Sequence, residues 1–317
     1  NARGTVNGVP AVMPSSWGKA LGVINYALKW DGAAKKWSPD TARTDVQVRS
    51  IQTGSNPNTY VAPDDAVAAA VQPLHDKTRA YVASPIGTSD FRLSSMFADV
   101  GDVGALQIVN QAQQDYVARY VKASLPQYAH LPVLSVTAPF KAGYASATDY
   151  TDVKAGTMTV AAAADLYLYD NNTIHAVKVT GAQIKLWLEN AAHRFNRIDP
   201  TSTADQWLIN DSKTGVQPGS AFPGYNYDVF TSPDIGYETD TTQPTYNVNN
   251  PGQGGERIKN LTYQGQPMDP AQEFIVATNN YRANSSARYI LGTGQSFDII
   301  WAAPDANREV VLNYVKA

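Results

Sequence analysis

Cysteine is absent from all 317 residues, which removes disulfides, thiolate catalysis and cysteine-bound zinc together and is compatible with the cytosol or a bacterial periplasm. A surplus of positive charge is missing too. With 25 basic against 28 acidic residues the net charge is -3. Neutralising phosphates along a duplex needs a Lys/Arg excess, so polymeric nucleic acid is not an expected partner. No apolar run approaches the roughly eighteen residues that a membrane-spanning helix needs, and no membrane partner is expected. The sequence begins Asn1-Ala2-Arg3-Gly4 with neither an initiator Met nor a charged-then-apolar leader, so the expectation is a processed or cleaved chain with further residues upstream.

The signatures of several common sites are also lacking. His75, His130, His175 and His193 are the four histidines; none falls in a DxH, HxH or HExxH spacing, so no dinuclear metal centre is expected inside this chain. His193 reads as an edge-of-face helix histidine rather than a ligand. There is no GxSxG elbow, no Walker A loop and no GxGxxG after a strand, and Gly252-Gln253-Gly254-Gly255 reads as a flexible loop.

What remains is the composition of a globular protein: 43% apolar residues against 17% charged, with 18 Tyr and 6 Trp. Low charge with abundant Tyr, Asn, Gln and Thr leans toward an exported protein. The first fifty-odd residues read as β, with apolar runs at Val9–Met13 and Leu21–Leu28, a turn at Gly32 and period-two alternation over Val46–Ile51. Three or four strands make a poor domain alone, so they are expected to be the tail of a larger sheet. After the turn-rich link Thr53–Asn58, Pro63-Asp64-Asp65 opens a helix with Val67, Val71, Leu74 and Tyr81 at helical spacing, and Pro73 is expected to bend it. A second amphipathic helix is marked by Ile108, Val109, Ala112, Tyr116, Val117, Tyr120 and Val121, followed by a buried strand at Leu131–Val136. The sharpest local signal is Thr180-Gly181-Ala182-Gln183, a capping box opening a helix whose apolar face is Ile184, Trp187, Leu188, Ala191, Ala192 and Phe195. Strands are expected at Asp165–Tyr169, Ala176–Val179, Tyr227–Phe230 and Phe274–Thr278, and a last helix capped by Pro304-Asp305. Strands and helices mixed without βα alternation predict an α+β domain over about 60 to 317.

Two segments pair an aromatic with polar amides: Leu166-Tyr167-Leu168-Tyr169-Asp170-Asn171-Asn172 and Thr278-Asn279-Asn280-Tyr281-Arg282. A nucleobase wants that combination, a π face for stacking and amides for the heterocycle edge. Tyrosines that merely pack a loop would look the same in sequence, and on the residues alone that is the commoner reading.

Gly4–Pro14 with Trp17-Gly18 and Leu21–Ile24 resembles the end of the metallophosphatase domain of bacterial 2′,3′-cyclic-nucleotide 2′-phosphodiesterase/3′-nucleotidases. The remainder resembles the same family's 5′-nucleotidase C-terminal domain through Ala138–Gly143, Asp165–Tyr169, Val179–Gly181, Trp187–Glu189, Tyr225–Asp228, Arg257-Ile258, Thr278–Arg282 and Pro304–Arg308. The resemblance implies an α+β fold of the 5′-nucleotidase C-terminal type, preceded by terminal β-strands of an incomplete metallophosphatase sandwich. It divides the chain into closing metallophosphatase strands (1–55), a linker and bridging helix (56–84) and a nucleotide-binding domain (85–317). It implies a periplasmic phosphoric ester hydrolase whose two divalent metal ions, and its catalytic residues, belong to an N-terminal domain outside this chain. The partners implied are that domain and a small-molecule nucleotide or nucleoside. By motif the base lies between Tyr169 and Tyr281, with Asn171, Asn280 and Arg282 beside them and Lys141 and Arg92 in the region facing the phosphate. The competing class is a non-catalytic nucleotide-binding or partner-binding module. One departure from the family concerns Asn284-Ser285-Ser286-Ala287, which stands where a pair or trio of glycines is usual; side chains there are expected to alter close backbone approach on the ribose side.

Overall fold

The computed structural model describes residues 4–55, 58–143, 146–211, 221–247 and 255–317, so Gly252, Gln253 and Gly254 of the expected flexible loop lie outside the described residues. The chain divides into two units, Asn1–Lys77 and Thr78–Ala317.

In the first unit the alternating sequences form antiparallel pairs. Ala20–Asn25 pairs with Asp45–Ser50, and Leu28–Asp31 with Lys36–Pro39 across the turn at Gly32. Trp30 and Trp37 face each other on the second pair, with ring centroids 5.4 Å apart. The expectation of a plain link at Thr53–Asn58 needs correction: Gln52–Ser55 and Asn58–Tyr60 are hydrogen-bonded strands, in keeping with the β-forming Thr53, Thr59 and Tyr60 they contain. Among the described residues every sheet of this unit has two strands, and Trp17, Leu21, Trp37 and Val48 stay exposed. Helix α1 (Asp65–Val82) starts where the Asp64 carboxylate accepts from the backbone N–H groups of Ala66 and Val67 at 2.9 and 3.0 Å. Pro73 lies within it, and none of its residues is buried.

The second unit is built on a four-stranded sheet in the order Val133–Ser135, Glu273–Asn279, Thr173–Thr180, Asp298–Ala306, the first pair parallel and the others antiparallel. The two central strands are buried over most of their length, Thr173–Thr180 with apolar residues at 174, 176, 177 and 179 and Glu273–Asn279 with an apolar run at 274–277, because both faces are covered. Period two sorts their side chains. Ile174, Ala176, Ile275 and Ala277 join one core with α2 (Gly104–Ser124), α3 (Val160–Leu166) and the C-terminal helix, whereas Val177, Val179, Phe274 and Val276 join another. That second core contains Ile184, Trp187 and Leu188 of α4 (Gly181–Ala191), Ala283 of α5 (Asn280–Ser285) and Ala287 and Ile290 of α6 (Ala287–Ile290). The last helix, α7 (Asn307–Lys316), buries Val310 and Val311. The capping box at α4 is complete: the Thr180 hydroxyl accepts from Gln183 N at 3.3 Å, and Gln183 Oε1 accepts from Thr180 N at 2.9 Å. Position 181 must be glycine, since a Cβ there would lie 2.2 Å from the Asp269 carbonyl.

Three expected elements are corrected. Asp165–Leu166 ends helix α3 instead of starting a strand, because the run of alanines after the Thr159 cap is helical. Tyr227–Phe230 makes only a single bridge, Thr137 to Val229, and is otherwise irregular. Pro304-Asp305 belongs to the edge strand Asp298–Ala306, where a proline costs no interior ladder bond, and α7 begins after it.

Two-stranded pairs with exposed apolar faces have little to resist local opening. Limited proteolysis is therefore expected to remove the segment before about Tyr60 first and to leave the Thr78–Ala317 unit folded; mass spectrometry showing simultaneous loss of both units would contradict this.

Candidate functional site

Antiparallel pairing of Ile174 with Asn279 brings the start of one central strand beside the end of the other. The loop leading into the first, which carries Tyr169 and Asn171, therefore lies at the same end of the sheet as α5, which carries Tyr281. Thr173 N–H donates to the side-chain oxygen of Asn280 at 3.2 Å and ties the two segments together. Asn279 caps α5 by accepting from Arg282 N at 2.8 Å, which fixes Tyr281 in the first turn. Its amide nitrogen and that of Asn172 both lie 3.1 Å from the buried Tyr167 hydroxyl, and burial pushes that phenol's pKa upward.

A cavity of 360 Å³ opens at this sheet end, lined by Phe140, Tyr169, Asn171, Asn172, Tyr225, Asn226, Asn279, Tyr281 and Arg282. Its volume falls in the range of small-molecule pockets, about 300–1,000 Å³. Tyr169 packs edge-on against Phe140 at 5.2 Å and 86°, and Phe140 packs against Tyr167 at 4.8 Å. The Tyr281 ring is 69% exposed. A tyrosine serving only to pack a loop would be covered by it.

Arg282 reaches the cavity wall, but its guanidinium is already engaged. It pairs with buried Asp228 at 2.6 and 2.9 Å and donates to the Tyr225 carbonyl at 3.0 Å and to Ser286 Oγ at 3.1 Å. Asp228 also accepts from Trp187 Nε1 of α4 at 2.7 Å. At the other end of the Tyr225 turn, Arg194 forms a two-point pair with Asp99 at 2.8 and 2.6 Å and donates to the Phe222 carbonyl at 2.9 Å. The turn is thereby flanked by two buried arginines, Arg282 at Tyr225 and Arg194 at Phe222.

The remaining expected residues lie elsewhere. Asn280 faces the Thr173 backbone and is not on the cavity wall. Lys141 pairs with Asp165 at 2.5 Å, Arg92 with Asp152 at 2.5 Å, and Asp165 also accepts from Asp152 N at 3.0 Å. These two cations form a ladder of ion pairs outside the cavity lining. His193, expected at the edge of its helix face, places Nδ1 2.9 Å from the Asn190 carbonyl. Burial lowers its pKa.

Residues 284–286 need no glycine. None of them has positive φ, and their side chains serve as local caps: Asn284 donates to the Asn280 carbonyl, Ser285 to the Tyr281 carbonyl, and Ser286 accepts from Arg282. Phe140, Tyr225 and Asn226 were not singled out as site residues, although Tyr225-Asn226 repeats the same aromatic-then-amide signal. Among the described residues, no group of three or more His, Cys, Asp or Glu is placed to hold a metal ion, and no helix is long and apolar enough to cross a membrane. The described residues do not fit a dinuclear metal centre.

Fold and site together define an α+β domain with an aromatic-walled, amide-lined cleft. A family model described as 5′-nucleotidase, C-terminal domain matches residues 85–291, and the chain belongs to that family. Over 323 residues it is 40% identical to the 2′,3′-cyclic-nucleotide 2′-phosphodiesterase/3′-nucleotidase of Salmonella typhimurium, covering 100% of this chain and 47% of that protein. Over 317 residues it is 38% identical to the trifunctional nucleotide phosphoesterase protein YfkN of Bacillus subtilis, covering 99% of this chain and 20% of that one. The chain thus spans less than half the length of these relatives. In fold it is similar to the crystal structure of the 5′-nucleotidase precursor from Thermus thermophilus, with a TM-score of 0.53 at 14% identity over 97% of this chain and 49% of that one.

The Asp228 junction makes its own prediction. Asp228→Ala strands a buried guanidinium and is expected to cost about 3–5 kcal/mol in chemical denaturation, whereas Asp228→Leu combined with Arg282→Met is expected to recover much of that loss.

Proposed function

We propose that this chain is the nucleoside-binding part of a phosphoric ester hydrolase acting on 2′,3′-cyclic nucleotides and 3′-nucleotides, with the base stacked between Tyr169 and Tyr281. The observation that carries the reading is the pair of partly exposed tyrosine rings on one cavity, reached from sequence positions brought together only by strand pairing. Asn171, Asn172 and Asn226 line the same cavity and suit the polar edges of a heterocycle. Stacking accepts every base because every base has a π face, so broad base specificity is expected.

The two divalent metals implied by the relatives would be held by a metallophosphatase domain outside these residues, with residues 1–55 as its closing strands and 56–84 as the link to the binding domain at 85–317. The exposed apolar side chains on the two-stranded pairs support that assignment. A periplasmic location accords with the low charge and abundant Tyr, Asn, Gln and Thr.

If the rings sandwich a base, each contributes on the order of 1–3 kcal/mol, so Tyr169→Ala or Tyr281→Ala is expected to weaken adenosine binding about tenfold or more at 1.4 kcal/mol per decade. Tyr→Phe at either position should change little, because stacking uses the ring. Titration calorimetry beside a thermal melt reads this out, and equal affinity in folded wild type and alanine variants would end the reading. A second expectation follows from the lack of a metal-ligating cluster among the described residues. The 317-residue chain with added Mn²⁺, Zn²⁺, Co²⁺ or Mg²⁺ should not hydrolyse 2′,3′-cyclic AMP or bis-p-nitrophenyl phosphate above buffer, and metal-dependent turnover by a homogeneous preparation would refute this.

A further inference from the structure

We propose that Arg308, in the first turn of α7, is a positioning residue that sets the loop presenting Tyr169 to the ligand. The proposal rests on the nucleoside-binding reading of the cavity. Between α3 and the Thr173–Thr180 strand, the loop of residues 167–172 has no ladder of its own. Its backbone acceptors instead converge on two consecutive residues. Arg308 Nε donates to the Tyr167 carbonyl at 3.0 Å and Nη2 to the Leu168 carbonyl, while Nη1 lies 3.9 Å from the Asp170 carboxylate. The neighbouring Asn307 N–H donates to the Asn172 carbonyl at 2.9 Å.

The platform behind Arg308 is rigid. Asn307 is fully buried and donates to Gln113 on α2 at 2.6 Å, and Val310 and Val311 sit in the core. The ends of the loop are anchored, with Tyr167 buried in the core and its hydroxyl bonded by Asn172 and Asn279, but its tip has little other support: Leu168, Tyr169 and Asp170 are all exposed and the Tyr169 ring meets its aromatic neighbour Phe140 only edge-on. Arg308 does not line the cavity, so any effect it has on a ligand passes through the loop. A planar guanidinium presents its donors from separate nitrogens in a fixed fork that spans two carbonyls and a carboxylate, whereas an ammonium is a point donor on a flexible stem and fixes their relative positions less well. Holding Tyr169 in its binding position before the ligand arrives saves the ordering cost that a free loop would add to association.

The test is a cycle of Arg308→Met in the wild-type and Tyr169→Ala backgrounds, using the 317-residue chain, adenosine titration calorimetry and a thermal melt of each variant. Arg308→Met is expected to weaken adenosine about fivefold in the wild-type background and to have little further effect once the Tyr169 ring is gone, because residues acting through one another are not additive. Arg308→Lys is expected to restore only part of the affinity, and it carries the same cycle if the methionine variant does not fold. Equal losses in both backgrounds, or wild-type affinity in Arg308→Met while Tyr169→Ala binds weakly, would overturn the positioning role alone. Wild-type affinity in Tyr169→Ala would remove the nucleoside-binding reading, and this inference with it.

Discussion

The buried carboxylate of Asp228 is the point on which the cavity and the core both depend. It accepts from Trp187 of α4 and pairs with Arg282 of α5, and the same guanidinium holds the Tyr225 carbonyl. A buried ion pair is weak evidence for net stability, because removing two charges from water costs about as much as their attraction returns. Its consequence here is geometric. Once Asp228 is buried, α4, α5 and the Tyr225 turn cannot shift separately without stranding a charge, so two of the three tyrosines on the cavity wall are fixed relative to each other.

The third, Tyr169, is held differently. It sits on an exposed loop whose polar backbone groups cannot be satisfied by a ladder, and in a folded protein such groups find other partners. They find them at the start of α7, more than a hundred residues later in sequence, at Asn307 and Arg308. The cleft is therefore assembled from one side anchored in a buried ion pair and one side anchored by backbone hydrogen bonds to a buried helix. Proteins commonly place binding residues on loops positioned by a rigid scaffold, and the antiparallel central strands are that scaffold here.

Membership of the 5′-nucleotidase C-terminal family fits the separation of roles within this chain. Several of its basic side chains are committed to aspartates, at Arg282–Asp228, Arg194–Asp99, Lys141–Asp165 and Arg92–Asp152. Aromatic rings and amides, by contrast, face the cavity. At Asn284-Ser285-Ser286 none of the residues has positive φ, Asn284 and Ser285 lie in α5, and their side chains donate to the Asn280 and Tyr281 carbonyls.

Local pattern alone determined the helices at 65–82, 104–124 and 181–191, the capping box at Thr180, and the two central strands, because amphipathic period and cap chemistry act over a few residues. It also marked Tyr169, Asn171 and Tyr281, through the aromatic-then-amide signal and the resemblance to a known family. Tertiary structure decided the rest. That Pro304 rides an edge strand, and that Arg282 and Lys141 are engaged by carboxylates, depends on partners distant in the chain. Sequence spacing carries no information about which acid a given base will meet. Only the pairing of Ile174 with Asn279 places the two tyrosine segments on one cavity, since register between strands a hundred residues apart is fixed by burial of both sheet faces at once.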